Sequence, residues 1–224
     1  MIRLVSLLLA TAVWLSAAKS SWTEHPVPAR DILTSGSFVD DVSGWVIGPQ
    51  TVLHTMDGAK TWYPQTLPDL DNVWLTAVQA LSDSTAVITA SAYGRNKIGM
   101  VVRTEDSGRS WTKLALRKGT FSSVVFHADR TRGYLISSSQ GLLRTNDRGI
   151  SWAPVRMPRP LVLRKDNHQS MISLPDDKTA WVASRNGLWR SDNDGADWQW
   201  VPLPIGEMAL DAAIHQISFA TSQI

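Results

Sequence analysis

The sequence predicts an all-β protein, a β-propeller of four-stranded antiparallel blades with about four complete blades plus parts of a fifth. Three observations predict it. An eight-residue segment ending in tryptophan recurs along the chain, as Thr55–Trp62, Thr104–Trp111, Thr145–Trp152 and Ser191–Trp198. Its tryptophans stand 49, 41 and 46 residues apart, a period in the forties that suits one four-stranded blade. Between them lie short β-rich runs separated by Gly, Asn and Asp turns, and no helical periodicity long enough to compete.

The recurring segment has the chemistry of a hairpin turn. In its full form it reads Ser/Thr, any residue, Asp, any residue, Gly, any residue, Ser/Thr, Trp, as in the copies holding Asp106, Gly108, Trp111 and Asp147, Gly149, Trp152. The first copy, with Asp57 and Trp62, has Ala59 at the glycine position; the last, with Gly195 and Trp198, has Asn193 for Asp and Asp197 for Ser/Thr. Asp and Ser/Thr side chains accept bonds from nearby backbone N–H groups, Gly supplies a positive φ, and Trp covers the strand ends. The motif resembles the Asp-box, or bacterial neuraminidase repeat, found in sialidases, sortilin-type receptors and photosystem II assembly/stability factors, all of them propellers.

Taken in order, residues 1–18 read as a secretory signal: Arg3, a mostly apolar run from Leu4 to Leu15, then Ser16-Ala17-Ala18. A membrane span needs about 20 apolar residues, so no stable membrane insertion is expected after cleavage. Residues 19–224 form the propeller, with blades at about 30–68, 69–117, 118–158 and 159–204 and a partial closing blade from 19–29 and 205–224. Ser21-Trp22 looks like the tail of a box, and Ile214–Phe219 like the first strand of a further unit. The two strands between them are missing, so the chain is expected to be a fragment or truncated form of a longer propeller. Each unit repeats one grammar: a short strand, an Asp-containing turn, a small residue with an aromatic or aliphatic pair, a second turn, and a third strand that ends in the box. Gly44-Trp45-Val46, Ala86-Val87-Ile88, Gly133-Tyr134-Leu135 and Ala180-Trp181-Val182 are those pairs.

Composition limits the function. The chain holds no cysteine, which removes disulfides, thiolate metal sites and thiol catalysis. Its formal charge is +2, a balance that predicts no nucleic-acid binding from bulk charge. An exported protein without disulfides fits a secreted or periplasmic setting, or a lumen in a photosynthetic organism.

Four features are candidates for chemistry. The box aspartates are expected to be structural, because in the resembled family they sit on the outer rim. Asp192-Asn193-Asp194-Gly195 has neither the spacing nor the terminal Glu of a calcium hand and reads as a decayed box. Directly before the boxes stand His54, Arg103, Arg144 and Arg190, at equivalent positions in four blades. They are candidates for a basic binding arc, or else each stacks on a neighbouring Trp or pairs with an adjacent blade. Two connections exceed their counterparts: Tyr93–Lys97, with Arg95 and Lys97, and Arg156–His168, with Arg164 and Lys165. Longer loops are where such scaffolds add specificity.

Catalysis finds no constellation. Glu occurs only at 24, 105 and 207, the five His are dispersed, and no nucleophile elbow, phosphate loop or zinc helix is present. No catalytic residue, metal or cofactor is expected. Gly44-Trp45-Val46-Ile47-Gly48 paired with the Thr55–Trp62 box is similar to the photosystem II assembly/stability factor type. The resemblance implies an exported, non-catalytic propeller that binds a protein partner or assists assembly. The alternative is a glycan-active or glycan-binding, sialidase-like propeller whose catalytic blades lie outside this chain.

Overall fold

The structure, a computed structural model, describes residues 24–67, 72–92, 97–161, 171–184 and 187–202. It is all-β, in four antiparallel sheets of four strands. The first sheet comprises β1 (Ser35–Phe38), β2 (Gly44–Ile47), β3 (Val52–Thr55) and β4 (Tyr63–Pro64). The second holds β5 (Val73–Ala80), β6 (Ala86–Ala92), β7 (Ile98–Thr104) and β8 (Thr112–Lys118). The third holds β9 (Phe121–Phe126), β10 (Gly133–Ser137), β11 (Gly141–Thr145) and β12 (Ala153–Pro154), and the fourth β13 (Met171–Ser173), β14 (Ala180–Ser184), β15 (Gly187–Ser191) and β16 (Gln199–Val201). Strand order follows the chain in every sheet, and β5 touches both β1 and β9 while β13 touches β9. These are propeller blades, with first strands innermost. The predicted signal segment and the predicted closing strands, Trp22 and Ile214–Phe219, lie outside the described residues.

Blade-to-blade packing forms the core. Trp45, Ile47 and Val52 of the first sheet bury against Val78, Ile88 and Val102 of the second. Val87 and Val101, from the opposite face of that sheet, pack on Val124, Leu135 and Leu143 of the third. Tyr134, Ile136 and Leu142 then meet Val182, Trp189 and Trp198 of the fourth. Strand residues alternate between faces, so a sheet apolar on both faces buries one set against each neighbour. This requires the nearly unbroken apolar runs of β6 and β10, and each is buried over almost its whole length.

One end of every blade is fixed by paired turns. Between first and second strands, Asp40, Ser82, Asp129 and Asp176 each accept two backbone N–H bonds from residues two and three positions on. The boxes join third to fourth strands at the same end. The N–H of each fourth box residue donates to the neighbouring turn: Gly58 to Val42 O, Ser107 to Ser84 O, Arg148 to Thr131 O and Asp194 to Lys178 O, at 2.7–3.0 Å. Both turns of a blade are thereby knitted together.

Two inner strands are irregular. Between β5 and β6 the register runs Leu75↔Ala90 then Ala77↔Thr89, leaving Thr76 as a bulge. Between β9 and β10 it runs Ser123↔Ile136 and Phe121↔Ser137, leaving Ser122 as the equivalent bulge. An extra residue of this kind re-aims side chains and sharpens the local twist.

Candidate functional site

The box is a closed hydrogen-bond circuit. In the second blade the Thr104 hydroxyl donates to Asp106 Oδ1 at 2.8 Å and accepts the Gly108 N–H at 2.9 Å. Asp106 also accepts the Ser110 N–H and hydroxyl. The third blade repeats this through Thr145, Asp147, Gly149 and Ser151. The fourth keeps the circuit despite its substitutions, because Asn193 Oδ1 accepts the Ser191 hydroxyl and the Asp197 N–H. Bonds from the Ser110 hydroxyl and N–H hold the Asp106 carboxyl down at about 2. Those from Thr61 lower Asp57. At Asp147 burial pulls upward, but the bonds from Ser151 and Thr145 outweigh it and leave the carboxyl low.

Successive residues at box positions four and five have positive φ: 60° and 84° at Ser107 and Gly108, 61° and 82° at Arg148 and Gly149, 55° and 76° at Asp194 and Gly195. Glycine at position five also answers a packing demand. A Cβ on Gly149 would meet Val87 and Phe126 at 3.2 Å, and one on Gly195 would meet the Tyr134 hydroxyl oxygen at 2.2 Å. Val87 and Tyr134 belong to the preceding blades. Ala59 accepts the strain instead, at φ 65°. Trp111, Trp152 and Trp198 are buried, whereas Trp62 is only half-buried.

The residues before the boxes lie on the seams between blades. His54 is buried, stacked on Trp45 with ring centroids 3.9 Å apart. Burial lowers its proton affinity, opposed by the Ser107 backbone of the next blade. Arg103, 6% exposed, donates through Nε to Arg148 O of the next blade at 3.2 Å and pairs with Glu105 at 2.5 Å. Arg144 donates to Asp194 Oδ2 at 2.5 Å and lies 6.0 Å from the Tyr134 ring centroid. Arg190 lies over Trp181 and pairs with Asp192. Three times, then, the residue before a box reaches the fourth box residue of the following blade. Of the loop cations, Lys97 is exposed at the opposite end of the second blade; Arg95, Arg164 and Lys165 lie outside the described residues.

Sequence reasoning missed the densest of these contacts. The Asp194 carboxylate, 20% exposed, also accepts Arg132 Nη1 at 2.6 Å, has the Tyr134 hydroxyl at 3.4 Å and the His127 Nε2 at 3.2 Å. The His127 contact lacks hydrogen-bond alignment; its Nδ1 lies 3.2 Å from Asp176 O. The Arg132 guanidinium is shared with Asp129, whose own burial is outweighed by bonds from the Arg132 and Thr131 backbone and the guanidinium, leaving its carboxyl at about 2. The available signal was Asp194 itself, an acidic residue at the fourth box position where the other copies have Gly58, Ser107 and Arg148.

Four stacked four-stranded sheets, each bearing this circuit at one rim, define an Asp-box β-propeller. Residues 15–119 match the family model of the photosynthesis system II assembly factor YCF48. Over that stretch, a little under half of its length, the chain is similar to this photosystem II assembly factor-like family. It is 24% identical over 136 residues to the photosystem II stability/assembly factor HCF136, chloroplastic, of Oryza sativa subsp. japonica, across 57% of this chain and 31% of that relative. Among solved structures, YCF48 bound to D1 peptide aligns at 16% identity and TM-score 0.48, covering 86% of this chain and 87% of that one. A GH74 enzyme from Niastella koreensis aligns at 17% identity and TM-score 0.58, covering 76% of this chain and 24% of the enzyme. The chain thus spans about a third of its curated relative and a quarter of that hydrolase.

Proposed function

We propose that this chain is an exported, non-catalytic propeller that binds a protein partner and assists assembly of a complex, in a lumen where its host is photosynthetic and otherwise in the periplasm or outside the cell. The similarity to assembly factors over residues 15–119 carries this reading. The site chemistry agrees with it. Among the described residues the carboxyls whose proton affinity departs from the ordinary value, those of Asp31, Asp40, Asp57, Asp106, Asp129, Asp147 and Asp176, are all shifted downward. A general acid working near neutrality needs the opposite shift. The glycan-active alternative shares only a fold with the hydrolase.

The test is in-cell cross-linking of the tagged full-length chain, with assembly of the captured complex followed in a deletion strain. A defined protein partner whose assembly slows without this chain is expected. Hydrolysis of a sialoside or β-glucan by the purified protein, with assembly unaffected in the deletion strain, would overturn the proposal.

A further inference from the structure

An axial cavity of about 240 Å³ lies among the innermost strands of all four blades. Its lining includes Thr34, Thr76, Ser122, Ser123, Val78 and Met171. Two of these, Thr76 and Ser122, are the bulged residues of β5 and β9. Bulges recur beside binding sites because they turn a side chain away from the ladder. Thr76 is held by Thr89, whereas the half-buried Ser122 and Ser123 hydroxyls make no hydrogen bond among the described residues. The lining runs along the middle of these strands, from Thr34, Thr76 and Ser122 to Val78 and Val125. At the box end Arg130 Nη2 donates to Val39 O at 3.1 Å, tying the third blade to the first.

The lining chemistry selects a ligand. Among the described residues none of its lining side chains is ionisable or aromatic, so these offer no counter-charge for an anion or cation and no flat face for a sugar ring. Nor does it hold the paired carboxylates that glycoside hydrolysis requires. Each contributing strand is instead the inner edge of its sheet; on β5 the Ser35 and Ser37 hydroxyls already accept the Val78 and Ala80 N–H groups, and backbone groups left open along such edges can pair with extended backbone. Two neighbouring serine hydroxyls add donors and acceptors, while Val78 and Met171 supply apolar surface. The volume falls below the ~300–1,000 Å³ typical of whole-ligand sites, which suits a few small residues.

We infer that this cup binds an extended peptide segment of small, uncharged residues. The inference rests on the protein-binding reading above and assigns it a contact point away from the boxes. A blocked tetrapeptide, acetyl-Ala-Ser-Ala-Val-amide, serves as probe on the full-length protein, with the Met171 methyl resonance as reporter. Xylotetraose and acetyl-Asp-Glu-Asp-Glu-amide are the competing arms. A saturable methyl shift with the neutral peptide is expected, at least tenfold weaker with the acidic peptide and with the sugar. Ser123→Leu, which fills the cup, is expected to weaken peptide binding at least tenfold. If that variant fails to fold, Ser122→Thr, one methyl larger, is expected to weaken it about threefold. No shift at millimolar neutral peptide, unchanged affinity in a folded variant, or tighter sugar binding would overturn the inference. Wild-type partner capture by folded Ser123→Leu would overturn the cup while leaving the protein-binding reading intact.

Discussion

Replacing Asp194 by Asn tests the seam between the third and fourth blades. Asn tolerates the positive φ of 55° at this position, so the change removes charge without disturbing the turn. Asp194 accepts bonds from Arg132 and Arg144 at 2.6 and 2.5 Å, with the three side chains 20–27% exposed. Charge-assisted hydrogen bonds contribute about 1.5–3 kcal/mol each. Residual solvent access keeps both near the lower end, so the variant should lose about 2–4 kcal/mol. At about 2–4 °C per kcal/mol for a protein of this size, thermal unfolding should shift down by about 5–15 °C. Circular dichroism reads the total, and amide exchange at Tyr134 and Val182 reports whether the loss is local to this seam. Arg190→Met is the control, because its pair with Asp192 is 44% and 55% exposed and should contribute under about 1 kcal/mol. A double-mutant cycle with Arg144→Met should return a coupling above about 1 kcal/mol. A loss in Asp194→Asn no larger than the control's would refute the reasoning.

Further outcomes follow from the same geometry. Ala59→Gly should stabilise the protein by about 0.5–1 kcal/mol, since a non-glycine residue at φ 65° carries strain that glycine does not; urea unfolding measures it, and a loss would show that the side chain is needed there. Thr104→Val should cost about 1–2 kcal/mol, as the hydroxyl is buried and both donates and accepts within the box, and chemical unfolding of the purified variant checks it. Asp106 and Asp129 have folded-state values of about 2 against an ordinary 3.8. On acidification the unfolded chain therefore takes up protons first, so stability from these groups is intact above about pH 4 and is lost as pH falls towards about 2. His54 is also depressed, by burial, so the unfolded chain gains a proton near pH 6.5 that the folded one refuses. Stability should begin to fall below that pH, and His54→Phe should flatten this part of the profile in a pH-resolved urea titration.

The boxes were legible because their grammar is local: a hydroxyl, a carboxylate or amide, a glycine and a tryptophan close on one another within eight residues. The alternation of Val87, Ile88, Tyr134 and Leu135 likewise announced sheets apolar on both faces. The seams were legible only as an alternative, that each residue before a box stacks on a Trp or pairs with an adjacent blade; their particular partners were not. Arg103 meets Arg148, and Arg144 meets Asp194, across some fifty residues, and which groups face each other depends on how one blade is rotated on the next. The preference of the residue before each box for a seam follows from that rotation, not from its charge. The bulges at Thr76 and Ser122 were hidden as well, because an extra residue in a strand of small polar side chains leaves the hydropathy pattern unchanged.

Amide hydrogen exchange at Gly108, Gly149 and Gly195 tests most directly whether the boxes are the staples that hold each blade's rim. These N–H groups lie in hairpin turns yet donate to the buried hydroxyls of Thr104, Thr145 and Ser191 at 2.8–3.0 Å. The account predicts exchange as slow as that of the core amides of Val87, Leu135 and Val182. Exchange at the rate of ordinary exposed turns would contradict it.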